Sequence, residues 1–414
     1  MIDVLKKEIE NQYGSKILDR GDCEFIANYI LEQYDTNISY NTLRRFFGLV
    51  EKTKPNTRTL NALSKYAGFK SYSHFIDTYH FKEERNFHQI VYHTIYRGKP
   101  SEIIRLVNSA YESKEDFPQT LILIVRELYY SGNNDLIDII FNLKELHYSN
   151  FSYTELLYIG NSIGLIFRKQ GNIPDIISNN QNFINIVFLT FVDYSSLNYY
   201  YLEWANHIKN KTFSEEISIF ISAITEFRKF LNKKQFKNLP YETMFSKELN
   251  PILCSRLLSL YILKNNKIDL EHKLNQYYRI SSKRINTTDY SYELFITSII
   301  AKNKDLMFYL INNLELEKLS YYQRIQKNTY NLMCLFYYKL TGNLEKEEYF
   351  FDAFSINLCQ FSYQEFVALI FCIYKFHSTN NEDKKLEIIT EYNYLKDKFG
   401  YSLFTKEFIL NYFN

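Results

Sequence analysis

The sequence predicts an all-α protein, a small N-terminal helical domain followed by a long array of helical hairpins, and three observations predict it. Eleven glycines and six prolines punctuate 414 residues, too few breakers for the many turns of an all-β fold. Apolar residues recur at helical spacing along the chain. Polar junctions between apolar segments return at a nearly constant interval from residue 98 onward. A chain of this length exceeds what one core usually organises, so two domains or an elongated array are expected.

The first predicted helix covers residues 3–13 and the second residues 22–34, with Asp22 as its N-cap and Phe25, Ile26, Tyr29 and Ile30 as its apolar face. Ser39 then opens SYNTLRRFFG, a short helix with Leu43, Phe46 and Phe47 on one side, Ile38 turned to the core and Gly48 as a left-handed stop. A polar basic loop, EKTKP, leads into TRTLNALSKYAGF, where Leu60, Leu63, Tyr66 and Ala67 keep helical spacing and Gly68 ends the run. A fifth helix over residues 71–79 closes a domain spanning residues 1–85.

The whole-chain balance of 49 basic and 47 acidic residues decides nothing about partners. The local balance does. Residues 1–38 carry four Lys/Arg against eight Asp/Glu, whereas residues 39–75 carry seven (Arg44, Arg45, Lys52, Lys54, Arg58, Lys65, Lys70) against Glu51 alone. A basic stripe on a short helix and the loop after it is the footprint of a phosphate-backbone contact, because each neutralised phosphate releases counterions.

Ile38-Ser39, Thr42-Leu43-Arg44-Arg45, Pro55, Thr59-Leu60 and Tyr66-Ala67-Gly68-Phe69 together resemble the recognition-helix half of helix-turn-helix domains of the phage-repressor and XRE kind. In such proteins the second helix enters the major groove with its N-terminal side chains on base edges. The resemblance implies duplex DNA as a partner, with Tyr40, Asn41, Arg44 and Arg45 as readers and Lys52, Lys54 and Arg58 on the backbone. The connection from Tyr34 to Ser39 is longer than the usual turn, and Tyr40 stands where the family often has Gln. A rival alignment exists: LNALSKYAGFKSYSHFIDTYH resembles the second helix-turn-helix of AraC-type regulators and makes residues 71–79 the reading helix.

From residue 86 to residue 414 the recurring junctions are RGKPSEII at Gly98, SGNNDLID at Gly132, QGNIPDII at Gly171, KNKTFSEE at Asn210, KNNKIDLE at Asn265, KNKDLMFY at Asn303, TGNLEKEE at Gly342 and TNNEDKKL at Asn380. Their spacings are 34, 39, 39, 55, 38, 39 and 38 residues, the period of stacked helical hairpins in an α-solenoid. The long gap holds Pro240 and Pro251, so an interruption is expected around residues 235–255. TGNLEKEEYFFDAF resembles a tetratricopeptide repeat, with Tyr330, Met333, Cys334, Tyr337, Phe350 and Ala353 near packing positions and Lys346 in place of a small residue. This TPR-like resemblance implies a concave surface that holds a peptide or a protein partner, and it allows a homodimer.

Several features carry structural readings. The five cysteines (Cys23, Cys254, Cys334, Cys359, Cys372) are odd in number and never spaced C-x-x-C, which fits reduced thiols and a cytoplasmic location. The start, MIDVLKKEIE, is no secretory signal. Apolar stretches such as residues 183–192 are far short of the roughly 18 residues a span requires, so no membrane partner is expected. Gly160 and Gly164, a G-x-x-x-G pair with few apolar flanks, read as a close helix contact, and Trp204 as a core residue. The 38 tyrosines and 34 phenylalanines read as composition before they read as a binding groove.

No phosphate loop, nucleophile elbow or dinucleotide turn is present, His88 and His93 are five apart, and no HExxH pattern occurs. No enzyme activity, cofactor or metal is expected. The expected function is a DNA-binding transcriptional regulator whose repeats bind a peptide or protein. The alternative is a non-enzymatic scaffold or adaptor, for example in phage defence, in which Arg44 and Arg45 form an ordinary solvated helix face.

Overall fold

The computed structural model describes residues 1–51, 53–113, 116–171, 173–209, 211, 214–237, 239, 249–265, 270–281, 287–314 and 321–414, and all regular structure among them is helical. The chain divides into two compact units, Met1–Gly98 and Lys99–Asn414.

The first unit contains α1 (Ile2–Tyr13), α2 (Arg20–Tyr34), α3 (Tyr40–Phe47), α4 (Thr57–Tyr66) and α5 (Tyr72–Arg97). Their apolar stripes meet in one core, which includes Leu5, Ile9, Ile26, Ile30, Leu43, Phe46, Leu63 and Phe75. Fully burying side chains of this size stabilises by about 1.5–3 kcal/mol each. Ile38 joins this core as expected. Two local expectations change. α2 begins earlier than predicted, because Asp19 is its N-cap and Asp22 completes a capping box from the third position. The buried face of α2 is then Cys23, Ile26, Ala27 and Ile30, leaving Phe25 56% and Tyr29 37% exposed. The fifth helix runs on to Arg97, so the domain end expected at residue 85 falls inside one continuous helix.

In the second unit the chain forms α6 (Pro100–Ser113), α7 (Phe117–Tyr130), α8 (Asn134–Phe141), α9 (Tyr153–Gln170), the short α10 (Asp175–Ser178) and α11 (Gln181–Phe183), a π turn (Ile184–Phe188), α12 (Tyr200–Lys209) and α13 (Glu215–Leu231). It continues through α14 (Pro251–Lys264), α15 (Leu270–Ser281), α16 (Thr287–Ile300), α17 (Lys304–Asn313), α18 (Tyr321–Thr341), α19 (Leu344–Ala353), α20 (Phe361–His377), α21 (Glu382–Phe399) and α22 (Lys406–Leu410). Each sequence junction separates two of these helices. The later junctions share a mechanism: Lys302 and Gly342 end a helix with positive φ, and Asn303, Asn343 and Asn381 start the next by accepting the N–H of Leu306, Lys346 and Lys384 at 3.0, 3.1 and 3.0 Å.

Helices pack side by side in series, α13 on α14, α14 on α16 and α16 on α18. α14 is buried over its first ten residues and α16 from Asp289 to Ile300. Both are buried with their polar residues included, Ser255, Arg256 and Ser259 on α14 and Asp289, Ser291, Glu293 and Thr297 on α16, so these polar groups need partners inside the protein. Arg256 lies within α14, 1% exposed, ion-paired to Glu293 of α16 and stacked 3.6 Å over the Phe227 ring. In the tetratricopeptide-like hairpin, Tyr330, Met333 and Cys334 are buried, and Tyr337 and Phe350 half-buried. Phe350 stacks on Tyr338 at 5.5 Å, whereas Ala353 is exposed.

Two features depart from the periodic reading. The interval from Gly171 to Asn210 looks regular in sequence, yet it holds two short helices, the π turn and an irregular stretch. Residues 189–197 of that stretch are buried. A Cβ on Gly160 would overlap the Thr190 hydroxyl and the Ile186 carbonyl, and one on Gly164 would overlap the Phe191 ring. The G-x-x-x-G pair thus lets this segment lie directly on α9. Pro240 lies outside the described residues, and Pro251 is the first residue of α14, a place where its missing N–H costs nothing.

The second departure is contact between segments about 200 residues apart, which a strictly nearest-neighbour stack does not make. Arg168 of α9 pairs with Glu365 of α20 at 2.7 Å and with Asp193 at 3.1 Å. Ser362 donates to Asn161 at 2.9 Å, and the Tyr401 hydroxyl donates to the Tyr194 carbonyl at 2.5 Å.

Candidate nucleic-acid interface

α2 and α3 are joined by a turn in which Asp35 takes a left-handed conformation, φ 47°, and the two helices pack together. α3 is closed at both ends. Ser39 Oγ accepts the Thr42 N–H at 3.1 Å. At the other end Gly48, φ 80°, donates to the Arg45 carbonyl at 3.2 Å while Leu49 donates to the Arg44 carbonyl at 2.9 Å, the doubly bonded glycine stop. With Leu43 and Phe46 buried, the 100° advance per residue turns Asn41 straight outward, sets Arg44 and Arg45 about equally to either side of it and leaves Thr42 on a flank. Exposure separates the two arginines: Asn41 and Arg45 are exposed, Arg44 and Thr42 half-buried.

Beside this face a cleft of about 200 Å³ lies between α3 and the start of α4, lined by Thr42, Arg45, Thr53, Lys54, Asn56 and Thr59 among others. Asn56 caps α4 by accepting the Thr59 N–H at 2.8 Å. Arg58 is exposed in the first turn of α4, where free backbone N–H groups and the positive dipole end favour an anion.

Arg45 and Lys54 therefore line one cleft, and Arg44 Nη1 donates to Asn41 Oδ1 at 3.3 Å. Tyr40 is placed differently. Its ring lies 4.5 Å below the guanidinium of Arg20, a cation–π contact from the first residue of α2. Lys52 lies outside the described residues. Among the described residues, none of Arg44, Arg45, Lys54 and Arg58 is ion-paired to a carboxylate, whereas Lys6 and Arg20 of the acidic half pair with Asp3 and Glu24. Arg20 was not singled out by charge counting, because it sits in the net-acidic stretch and Glu24 four residues on masks it.

Cys23 lies beneath this surface with its thiol pushed up to about 11, by burial first and the Asp22 charge second, while Arg44 pulls the other way. A buried thiol held neutral is inert. No family model, curated protein or solved structure matches the chain. The starts of α3 and α5 differ in local charge. At the start of α5, Ser71 caps the His74 N–H at 3.1 Å and Tyr72 N–H is held by Asn61 at 2.9 Å. The first turn of α5 (Tyr72, Ser73, His74) carries no Lys or Arg, whereas α3 carries Arg44 and Arg45.

Proposed function

We propose that the chain is a DNA-binding regulator that lays α3 in the major groove and sets Lys54, Arg58 and the first turn of α4 on phosphates. The unpaired cationic face of α3 and its loop is the observation that carries this reading. Unsatisfied cations on a fixed, short, outward-facing helix favour a polyanion, because they release its counterions without breaking ion pairs of their own. Asn41 and Arg45 are the outermost side chains of α3 and suit base edges, Asn for adenine and Arg for guanine. The second unit is read as a TPR-like solenoid that receives a peptide or protein and couples its binding to the DNA-binding unit.

Electrophoretic mobility of the full chain on duplex DNA at several salt concentrations tests the reading. Lys54→Ala with Arg58→Ala is expected to weaken binding and flatten the salt dependence, each lost phosphate contact removing about 0.9 from the log–log slope. An unchanged slope, or no binding by the wild type at low salt, overturns it. A second reading, an adaptor that binds only proteins, is favoured by α19. None of its residues is buried, and Leu344 and Tyr349 are 76% and 67% exposed. A pulldown partner retained by the full chain under conditions where it ignores DNA would select that reading.

A further inference from the structure

The cleft of about 200 Å³ between α3 and the start of α4 carries more positive charge than one DNA phosphate balances. Arg45 and Lys54 both line it, and no Asp or Glu is among the lining residues. The N-terminal end of α4 adds about half a positive charge. Asn56 takes the Thr59 N–H at 2.8 Å, which leaves the Thr57 and Arg58 N–H groups without a partner.

A helix end alone attracts any anion weakly, and a second feature marks this one. Thr59 lines the cleft and is only 5% exposed. Its hydroxyl makes no hydrogen bond, yet it is not sealed from solvent, so it opens on the cleft that the residue lines. A hydroxyl in that position can donate to an anion.

Charge and volume choose the ligand. A DNA phosphodiester carries one negative charge per phosphate, whereas a phosphomonoester carries about 1.5 to 2 at pH 7. Two cations and a helix end are therefore balanced by the monoester. A cavity of about 150 Å³ holds a benzene-sized molecule, so this cleft has room for more than a phosphate group. Phe46 and Pro55 give it an apolar side, where the carbon skeleton of an ester can lie.

We propose that the cleft binds a small phosphomonoester, its phosphate held by Arg45, Lys54 and the Thr59 hydroxyl, and that the bound ester displaces DNA. The displacement rests on the DNA-binding reading, because the ester takes Lys54 from a backbone phosphate. The binding itself stands without that reading.

Ribose 5-phosphate is titrated calorimetrically into the full chain beside ribose and dimethyl phosphate, all at one low ionic strength. Saturable one-to-one binding of the ester is expected, at least about tenfold tighter than either control. Lys54 is exposed, and Lys54→Gln is expected to weaken the ester at least about tenfold at unchanged Tm. Thr59→Val keeps the shape of the side chain and is expected to weaken it about threefold. Should Thr59→Val fail to fold, Lys54→Gln carries the test. Dimethyl phosphate that binds as tightly as the ester, no saturable binding up to about 10 mM, or an affinity unchanged by either folded variant overturns the proposal. Electrophoretic mobility separates this site from the DNA reading. Ribose 5-phosphate is expected to raise the apparent DNA Kd at constant ionic strength, and to lose that effect in Lys54→Gln. DNA binding that the ester never weakens overturns the displacement, whereas ester binding by a chain that ignores DNA supports the site and sinks only the regulator.

Discussion

Alanine ordinarily exceeds glycine in an exposed helix interior by about 1 kcal/mol, and Gly164 of α9 reverses that sign. Its Cβ would enter the ring of buried Phe191, and overpacking of this kind costs about 1–3 kcal/mol. Gly164→Ala is therefore expected to lower Tm, checked by thermal denaturation beside Gly171→Ala, which meets only the strain of a positive φ with open space around it. The spacing of Gly160 and Gly164 was legible in sequence as a close contact. What fills the space was not, since the partner is an irregular segment whose own pattern names no helix. The same holds at α3: helical advance alone puts Asn41 outward with Arg44 and Arg45 to either side, but the Arg20 guanidinium over Tyr40 joins two helices and leaves no local signal.

Helix ends decide the element scale. The carboxylate of Asp22 accepts the N–H of Leu18 at 2.8 Å and of Asp19 at 3.1 Å, and the Tyr13 hydroxyl at 2.8 Å. These bonds, the Leu18 N–H first, hold its pKa below the usual carboxylate value. A folded-state pKa below the unfolded one stabilises above about pH 4 and loses that contribution as pH falls through the folded value. Asp22→Asn is expected to lower Tm at neutral pH, because the amide offers one acceptor oxygen and no charge where the carboxylate accepts three hydrogen bonds. The gap to the wild type should close near pH 2, read from Tm against pH. Sequence pattern found both short helices of the basic half because their stops are local, Gly48 and Gly68 at positive φ. It missed the length of α5, since no Gly or Pro lies between residue 69 and residue 97 to mark an end and only tertiary packing decides how far such a helix runs.

At the scale of the molecule, the second unit joins its own distant segments. Tyr401, near the C-terminus, donates to the Tyr194 carbonyl at 2.5 Å and accepts the Leu197 N–H at 3.2 Å. Tyr401→Phe leaves both buried backbone groups without this partner, a loss of about 1–3 kcal/mol. Faster hydrogen exchange is expected in residues 189–197 as well as around residue 401. Exchange confined to the C-terminal helices would instead match an array whose repeats contact only their neighbours. The periodic junctions said where helices break, yet gave no warning of these contacts, because a period records what each hairpin needs locally.

The sequence by itself determined that this protein is helical, where most of its helices break, and where its cations gather. Those properties follow from breakers, caps and charges that act within a few residues. Tertiary structure alone decided which cations stay unpaired and how the buried stretch at residues 189–197 is held. Each depends on groups distant in the chain and close in space, and a linear pattern carries no record of that distance.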